Sequence, residues 1–170
     1  MAQENLLSGF TEFVFLREIV FQSRIAIRAA DNLANIGHGL DHIDTWSSIQ
    51  LILISAGNVS KILWPPRKAS AARGARLRSL LSIDDNNPLA DRRLRNHFEH
   101  YDERIEHWFA SKNSSTYKDL IMGPLQGYDR QFPSNVHRGY DNTTQTLTFR
   151  GESMNLGAVV KALIEIQHKC

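Results

Sequence analysis

Apolar residues recur at helical spacing over residues 5–36, with Leu6, Phe10, Phe13, Ile19, Val20 and Ile27 among the apolar positions. Strands rarely exceed about ten residues, so a periodic stretch of this length is read as α-helix. The block GHGLDHID (37–44) interrupts it with two glycines. A second helix is expected from about Asp44 to Leu63, with Asp44 or Thr45 as its N-cap. Its apolar run IQLILISAG (49–57) is far shorter than the roughly 20 residues of a membrane span and reads as a buried helix. Trp64-Pro65-Pro66 ends it, because proline lacks an amide hydrogen and disfavours helix in the residue before it.

Residues 68–82 (KASAARGARLRSLLS) suggest a third, basic helix, weakened by Gly74. IDDNNP (83–88) has turn chemistry. A fourth helix is expected from Pro88, placed at its first turn, to about Ala110, stopped by Asn113-Ser114-Ser115. YKDLIM (117–122) suggests a short strand, GPLQGYDRQFPSN a loop, and TQTLTFR (144–150) a strand, through its alternating β-branched residues. A last helix is expected over Leu156–His168. The expected fold class is therefore mainly all-α: four or five helices in one domain spanning 1–170, with a β-containing insertion at about 112–155.

A 170-residue chain with 42% hydrophobic and 22% charged residues suits one soluble domain with a proper core and excludes disordered and fibrous classes. No targeting signal is expected at the N-terminus. The one cysteine, Cys170, permits no internal disulfide, which favours a reducing, cytoplasmic setting. Net charge is only +2, but it is unevenly spread. Residues 1–66 carry four basic and six acidic residues, and residues 96–170 carry eight and nine. Residues 67–95 carry eight basic and three acidic residues, a net of +5. Such a block either serves solubility or meets a polyanion. On the second reading Arg67, Lys68, Arg73, Arg76 and Arg78 contact an RNA backbone.

The segment RRLRNHFEHYDERIEHW (92–108) has two faces. Leu94, Phe98, Tyr101, Ile105 and Trp108 form a core stripe at spacings of four and three. Asn96, His100, Glu103 and His107 lie on the opposite side. That polar side can be a solvated face, with Arg95 and Glu99 paired one turn apart. It can be a metal site using His97, His100 and His107. No metal is expected, because HExxH and CxxC spacings are absent and His38, His42, His137 and His168 form no ligand pattern. It can also be catalytic. Cleaving RNA without a metal needs a base for the 2′-hydroxyl, an acid for the leaving 5′-oxygen and a cation for the phosphate. Histidine titrates near working pH, and arginine's planar fork holds phosphate oxygens while staying charged. Arg95 and His100, with Asn96 one turn before His100, supply that set.

Elsewhere, Gly57 and Asn58 within SAGNVSK (55–61) suggest close helix packing or a lined cleft. His38, Asp41, His42 and Asp44 suggest capping at a helix corner, and Trp46, Trp64 and Trp108 suggest core anchors.

Arg95-Asn96-His97-Phe98-Glu99-His100 resembles the signature of the HEPN superfamily: an arginine, a polar residue, and after a short gap a histidine. GNVSKILWPP (57–66) followed by RNHFEHYDERIEHW is similar to a subgroup of bacterial HEPN-like proteins. The resemblance implies an up-and-down helical bundle that forms a homodimer with the signature helices facing each other. It implies metal-independent endoribonuclease activity, without cofactor, as in toxins of toxin–antitoxin and phage-defence systems, with a cognate antitoxin as a further partner and no membrane. Arg95 and His100 would be catalytic and Asn96 supporting, and Asp102, Glu103 and His107 are placed to assist. The alternative it implies is a non-catalytic HEPN-like dimerisation or binding module.

Overall fold

The computed structural model describes residues 9–35, 41–91, 96, 99–111, 117–123 and 136–170. Among them are five α-helices: α1 (Gly9–Asn35), α2 (His42–Leu63), α3 (Ala71–Leu80), α4 (Tyr101–Ala110) and α5 (Leu156–Lys169). Two 3₁₀ turns, Lys68–Ser70 and Pro88–Ala90, link them. Four short strands, β1 (Ile121–Met122), β2 (Arg138–Asp141), β3 (Thr146–Phe149) and β4 (Glu152–Asn155), form one sheet in that order. β1 pairs parallel with β2, and the remaining pairs are antiparallel. The fold is mainly helical, with the small sheet ahead of the last helix.

The core lies where α1, α2 and α5 meet. Ile19 and Ala26 of α1, Ile49, Val59 and Leu63 of α2, and Leu163 of α5 are fully buried. Leu147 brings β3 into the same cluster. Each such aliphatic side chain contributes roughly 1.5–3 kcal/mol through burial. α1 and α2 run antiparallel: Gln22 accepts a hydrogen bond from Asn58 (3.2 Å), while Arg73, close to the C-terminal carbonyls of α2, stacks on Phe15 near the start of α1.

Several expectations change. Phe10 and Phe13 are 75% and 53% exposed. The inward face of α1 is Ile19, Ser23, Ala26 and Ala29, and the last three are small residues that let α2 approach. The N-cap of α2 is Asp41, not Asp44 or Thr45. Its Oδ1 accepts the Ile43 and Asp44 amides (2.7 and 3.2 Å), and Asp44 adds negative charge at the positive helix end. The basic helix begins as a 3₁₀ turn and is α-helical only from Ala71. Pro88 does not open a long helix. Asn87 caps a single 3₁₀ turn through the Leu89 amide (3.0 Å), and Asp91 is extended. Of the expected apolar stripe, Trp108 is buried and Tyr101 and Ile105 are half-buried. Leu94 and Phe98, and the stop at 113–115, lie outside the described residues. Ser111 closes α4, its hydroxyl donating to the Trp108 carbonyl (2.7 Å).

Arg150 ends the TQTLTFR strand. Arg150 and Gly151 both have positive φ (48° and 85°), the two-residue turn that matches strand twist. Asn155 then caps α5 through the Ala158 amide (2.7 Å).

Gly74 sits where α3 crosses the end of α2. A Cβ there would meet Pro65 Cδ and lie 2.7 Å from the Leu63 carbonyl oxygen. Helix propensity alone favours alanine by about 1 kcal/mol. The overlap reverses that sign, so Gly74→Ala is expected to destabilise by about 1–3 kcal/mol, seen as a lower urea midpoint. A gain in stability would show that the crossing is not close.

Candidate functional site

Asn96 and His100 lie on consecutive helical turns. The His100 amide donates to the Asn96 carbonyl (3.1 Å), and the Arg104 amide donates to the His100 carbonyl (3.1 Å). The backbone is distorted at His100 itself (φ −114°, ψ 42°), where it forms the N-cap of α4. Both side chains are exposed. Arg95 and His97 lie outside the described residues.

The neighbours of His100 are anchored. Glu99 accepts from Lys61 of α2 at 2.6 Å. Glu99 and Lys61 also border a groove of about 310 Å³ on α2, lined by Gln50, Leu53, Ile54, Gly57 and Asn58. The glycine and asparagine of SAGNVSK therefore do line a cleft. His100 Nδ1 lies 3.3 Å from Glu103 Oε1, an exposed pair that adds little stability. His107 Nδ1 lies 3.0 Å from Arg150 Nη1. A guanidinium only donates, so Nδ1 accepts and the His107 proton sits on Nε2. Arg150 also donates to the Arg104 carbonyl (3.4 Å). Asp102 is exposed on the first turn of α4. Among the described residues no three His, Cys, Asp or Glu side chains group as a metal site, and no helix is long and apolar enough to cross a membrane.

The basic segment is largely occupied. The last turn of α2 leaves carbonyls without helical partners, and α3 supplies donors for them. Arg73 Nη2 donates to the Lys61 and Ile62 carbonyls (3.2 and 3.5 Å), and Arg78 Nη1 to that of Leu63 (2.6 Å). Both cations also complement the negative helix end. Arg73 lies over Phe15 (4.7 Å) and Arg78 over Trp64 (5.6 Å). Arg78 pairs with Asp85 (2.9 Å) and Arg76 with Glu12 (2.8 Å). Arg67 and Lys68 are exposed.

A polar cluster unremarked in the sequence holds α4 to the sheet. Arg138 of β2 grips Asp119 with Nε and Nη2 (2.9 and 2.7 Å), and Nη2 also donates to the Tyr101 hydroxyl (2.9 Å). Tyr101 and Tyr117 donate to Asp119 Oδ2 (3.4 and 3.2 Å). The guanidinium lies over the rings of Tyr101 (4.4 Å) and Trp46 (5.5 Å). Fully buried His137 packs its ring against Tyr101, Tyr117 and Phe149. Burial pushes the Asp119 carboxyl up, but hydrogen bonds from Arg138, its charge and the Leu120 amide outweigh burial and hold it below the usual value. Burial likewise pulls Arg138 down, and Asp119 more than restores it. Burial, then the Asp119 charge, push the Tyr117 hydroxyl up, so it stays protonated and donating. Tyr101 is the residue after His100, so this cluster fixes the backbone that presents His100.

No protein-family model, curated protein or solved structure matches the chain.

Asp119→Asn leaves the shape but strands the buried Arg138 charge. Its expected cost is about 3 kcal/mol by urea unfolding. A depressed carboxyl pKa contributes stability that is complete above the ordinary value of 3.8 and is lost as pH falls below it through the lower folded value. The difference between wild type and variant should therefore shrink in acid. A difference that persists unchanged down to pH values well below 3.8 would place the stabilisation elsewhere.

Proposed function

We propose that this chain is an HEPN-like, metal-independent endoribonuclease that acts as a homodimer, with the signature segments of two copies facing one cleft. The observation that carries this reading is the placing of Asn96 and His100 on successive turns of one exposed surface, beside the α2 groove. The mainly helical fold, with His100 capping a late helix, supports it. On this reading the helices form an up-and-down bundle, with the sheet as an insertion before α5.

In the proposed reaction, the His100 imidazole takes the proton of a 2′-hydroxyl. The 2′-oxygen attacks the adjacent phosphorus, and the bond from phosphorus to the 5′-oxygen breaks. The 5′-oxygen takes a proton from the imidazolium of the second copy, across the two-fold cleft. Arg95 stabilises the charge that grows on the phosphate oxygens, and Asn96 orients the phosphate or the imidazole. The products are a 2′,3′-cyclic phosphate and a 5′-hydroxyl. Glu103, 3.3 Å from His100 Nδ1, orients the ring. The biological setting we assign is a cytoplasmic toxin of a toxin–antitoxin or phage-defence system, restrained by a cognate antitoxin.

Purified wild-type protein with excess EDTA should cleave a pool of structured RNAs to cyclic phosphate ends. His100→Ala should lose cleavage by at least a hundredfold with an unchanged circular dichroism spectrum. Equal activity in the variant, or complete loss in EDTA, sinks the mechanism. A folded wild-type dimer that cleaves nothing points instead to a binding module.

A further inference from the structure

We propose that the outward face of α1 is a binding track for single-stranded RNA. The proposal rests on the ribonuclease reading and names the surface that would hold its substrate. At 100° per residue, Phe10, Phe13, Arg17, Phe21, Arg24 and Arg28 lie within about 50° of one line, opposite Ile19, Ser23 and Ala26. The three phenylalanines are 75%, 53% and 58% exposed. Five of the six, all but Phe10, line a groove of about 490 Å³ that ends at Cys170, beyond the last turn of α5. The Arg17 guanidinium lies 5.9 Å from the Phe13 ring centre. Among the described residues no hydrogen bond or ion pair engages Arg24 or Arg28, whereas Arg73, Arg76 and Arg78 are held by intramolecular partners. The acidic side chains of the first half of α1 are turned to other partners, Glu12 to Arg76 and Glu18 to Gln22 (2.7 Å).

Interleaved cations and aromatic rings fit single-stranded nucleic acid, whose phosphates pair with arginine while its bases stack on the rings. From Phe10 to Arg28 the face runs about 27 Å, the length of roughly four to five extended nucleotides. A helix lying on a membrane keeps its cations at the edges of its apolar stripe. Here the arginines stand in the middle, where insertion would bury them. A second copy of this face would bring six arginines into one dry interface, a costly desolvation.

The test uses a fluorescent, unstructured oligouridylate of about twelve nucleotides with 2′-O-methyl groups, which cannot be cleaved by this route, so binding is read apart from chemistry. Wild type should bind it, more weakly as salt rises. Arg24→Gln/Arg28→Gln should weaken binding tenfold or more and lower the slope of log affinity against log salt by about 1.4, or 0.7 per lost phosphate contact. Phe21→Ala should weaken binding about fivefold or more and leave that slope unchanged. All three positions line the open groove, and circular dichroism checks that the variants fold. Unchanged affinity in the arginine variant overturns the track, as does no binding by wild type. So does a loss that falls instead on Arg67→Gln/Lys68→Gln, or an arginine-dependent attachment to phosphatidylserine vesicles without RNA binding. Binding that behaves as expected while unmodified RNA stays uncut removes the ribonuclease reading and leaves the track standing.

Discussion

Arg138 reaches out of the short strand β2 and satisfies three different demands at once. Its Nε and Nη2 take both oxygens of Asp119, Nη2 reaches the Tyr101 hydroxyl, and its flat face covers Tyr101 and Trp46. Those partners come from α2, from α4 and from the segment leading into β1. A sheet of two- to four-residue strands has little hydrogen-bonding energy of its own, and so small a sheet needs packing against helices to persist. The guanidinium supplies a directional part of that packing and Leu147 an apolar part. A buried ion pair costs desolvation and adds modest net stability. What this one adds is position: removing either charge leaves the other stranded, so α4 and the sheet are held to one arrangement.

The same economy of cations explains the charge block upstream. Two prolines after Trp64 forbid α2 from continuing, which leaves its last carbonyls facing the start of α3. Arg73 and Arg78 answer them, and Gly74 permits the approach. Three of the block's eight cations, Arg73, Arg76 and Arg78, thus have intramolecular partners. The reverse holds for α1. Residues 1–66 sum to a net of −2, yet three arginines gather on one exposed line of that helix.

Long periodic elements were the legible part of the fold. α1, α2 and α5 follow from apolar spacing and from prolines, and the cap of α2 is Asp41, three residues before the expected Asp44. The four-residue strands Arg138–Asp141 and Glu152–Asn155 carry no alternation long enough to register, and the second pairs with β3 across the Arg150-Gly151 turn. The orientation of α1 was also hidden. Phe10 and Phe13 fit a helical stripe in sequence, but the small residues Ser23, Ala26 and Ala29 mark the side that α2 can approach closely. The Tyr101–Tyr117–Asp119–Arg138 cluster draws on positions up to 37 apart, and spacing gives no signal at that range. At the candidate site, Asn96 and His100 do share consecutive turns as their spacing implied, while Arg95 lies outside the described residues.

His100 stands between two fixed neighbours. Glu99 is tied to α2 through Lys61, and Tyr101 is tied to the sheet through Arg138. The backbone departs from helical geometry at His100, yet the amide and carbonyl on either side keep their i to i+4 bonds, so the distortion is local and held from both directions. A proton-transfer group needs this combination, with a backbone that does not wander and a ring that can meet substrate. The anchors act through residues whose own side chains have no part in the proposed chemistry. Loosening Arg138 should therefore displace the ring without touching it, which separates the positioning of His100 from its reactivity.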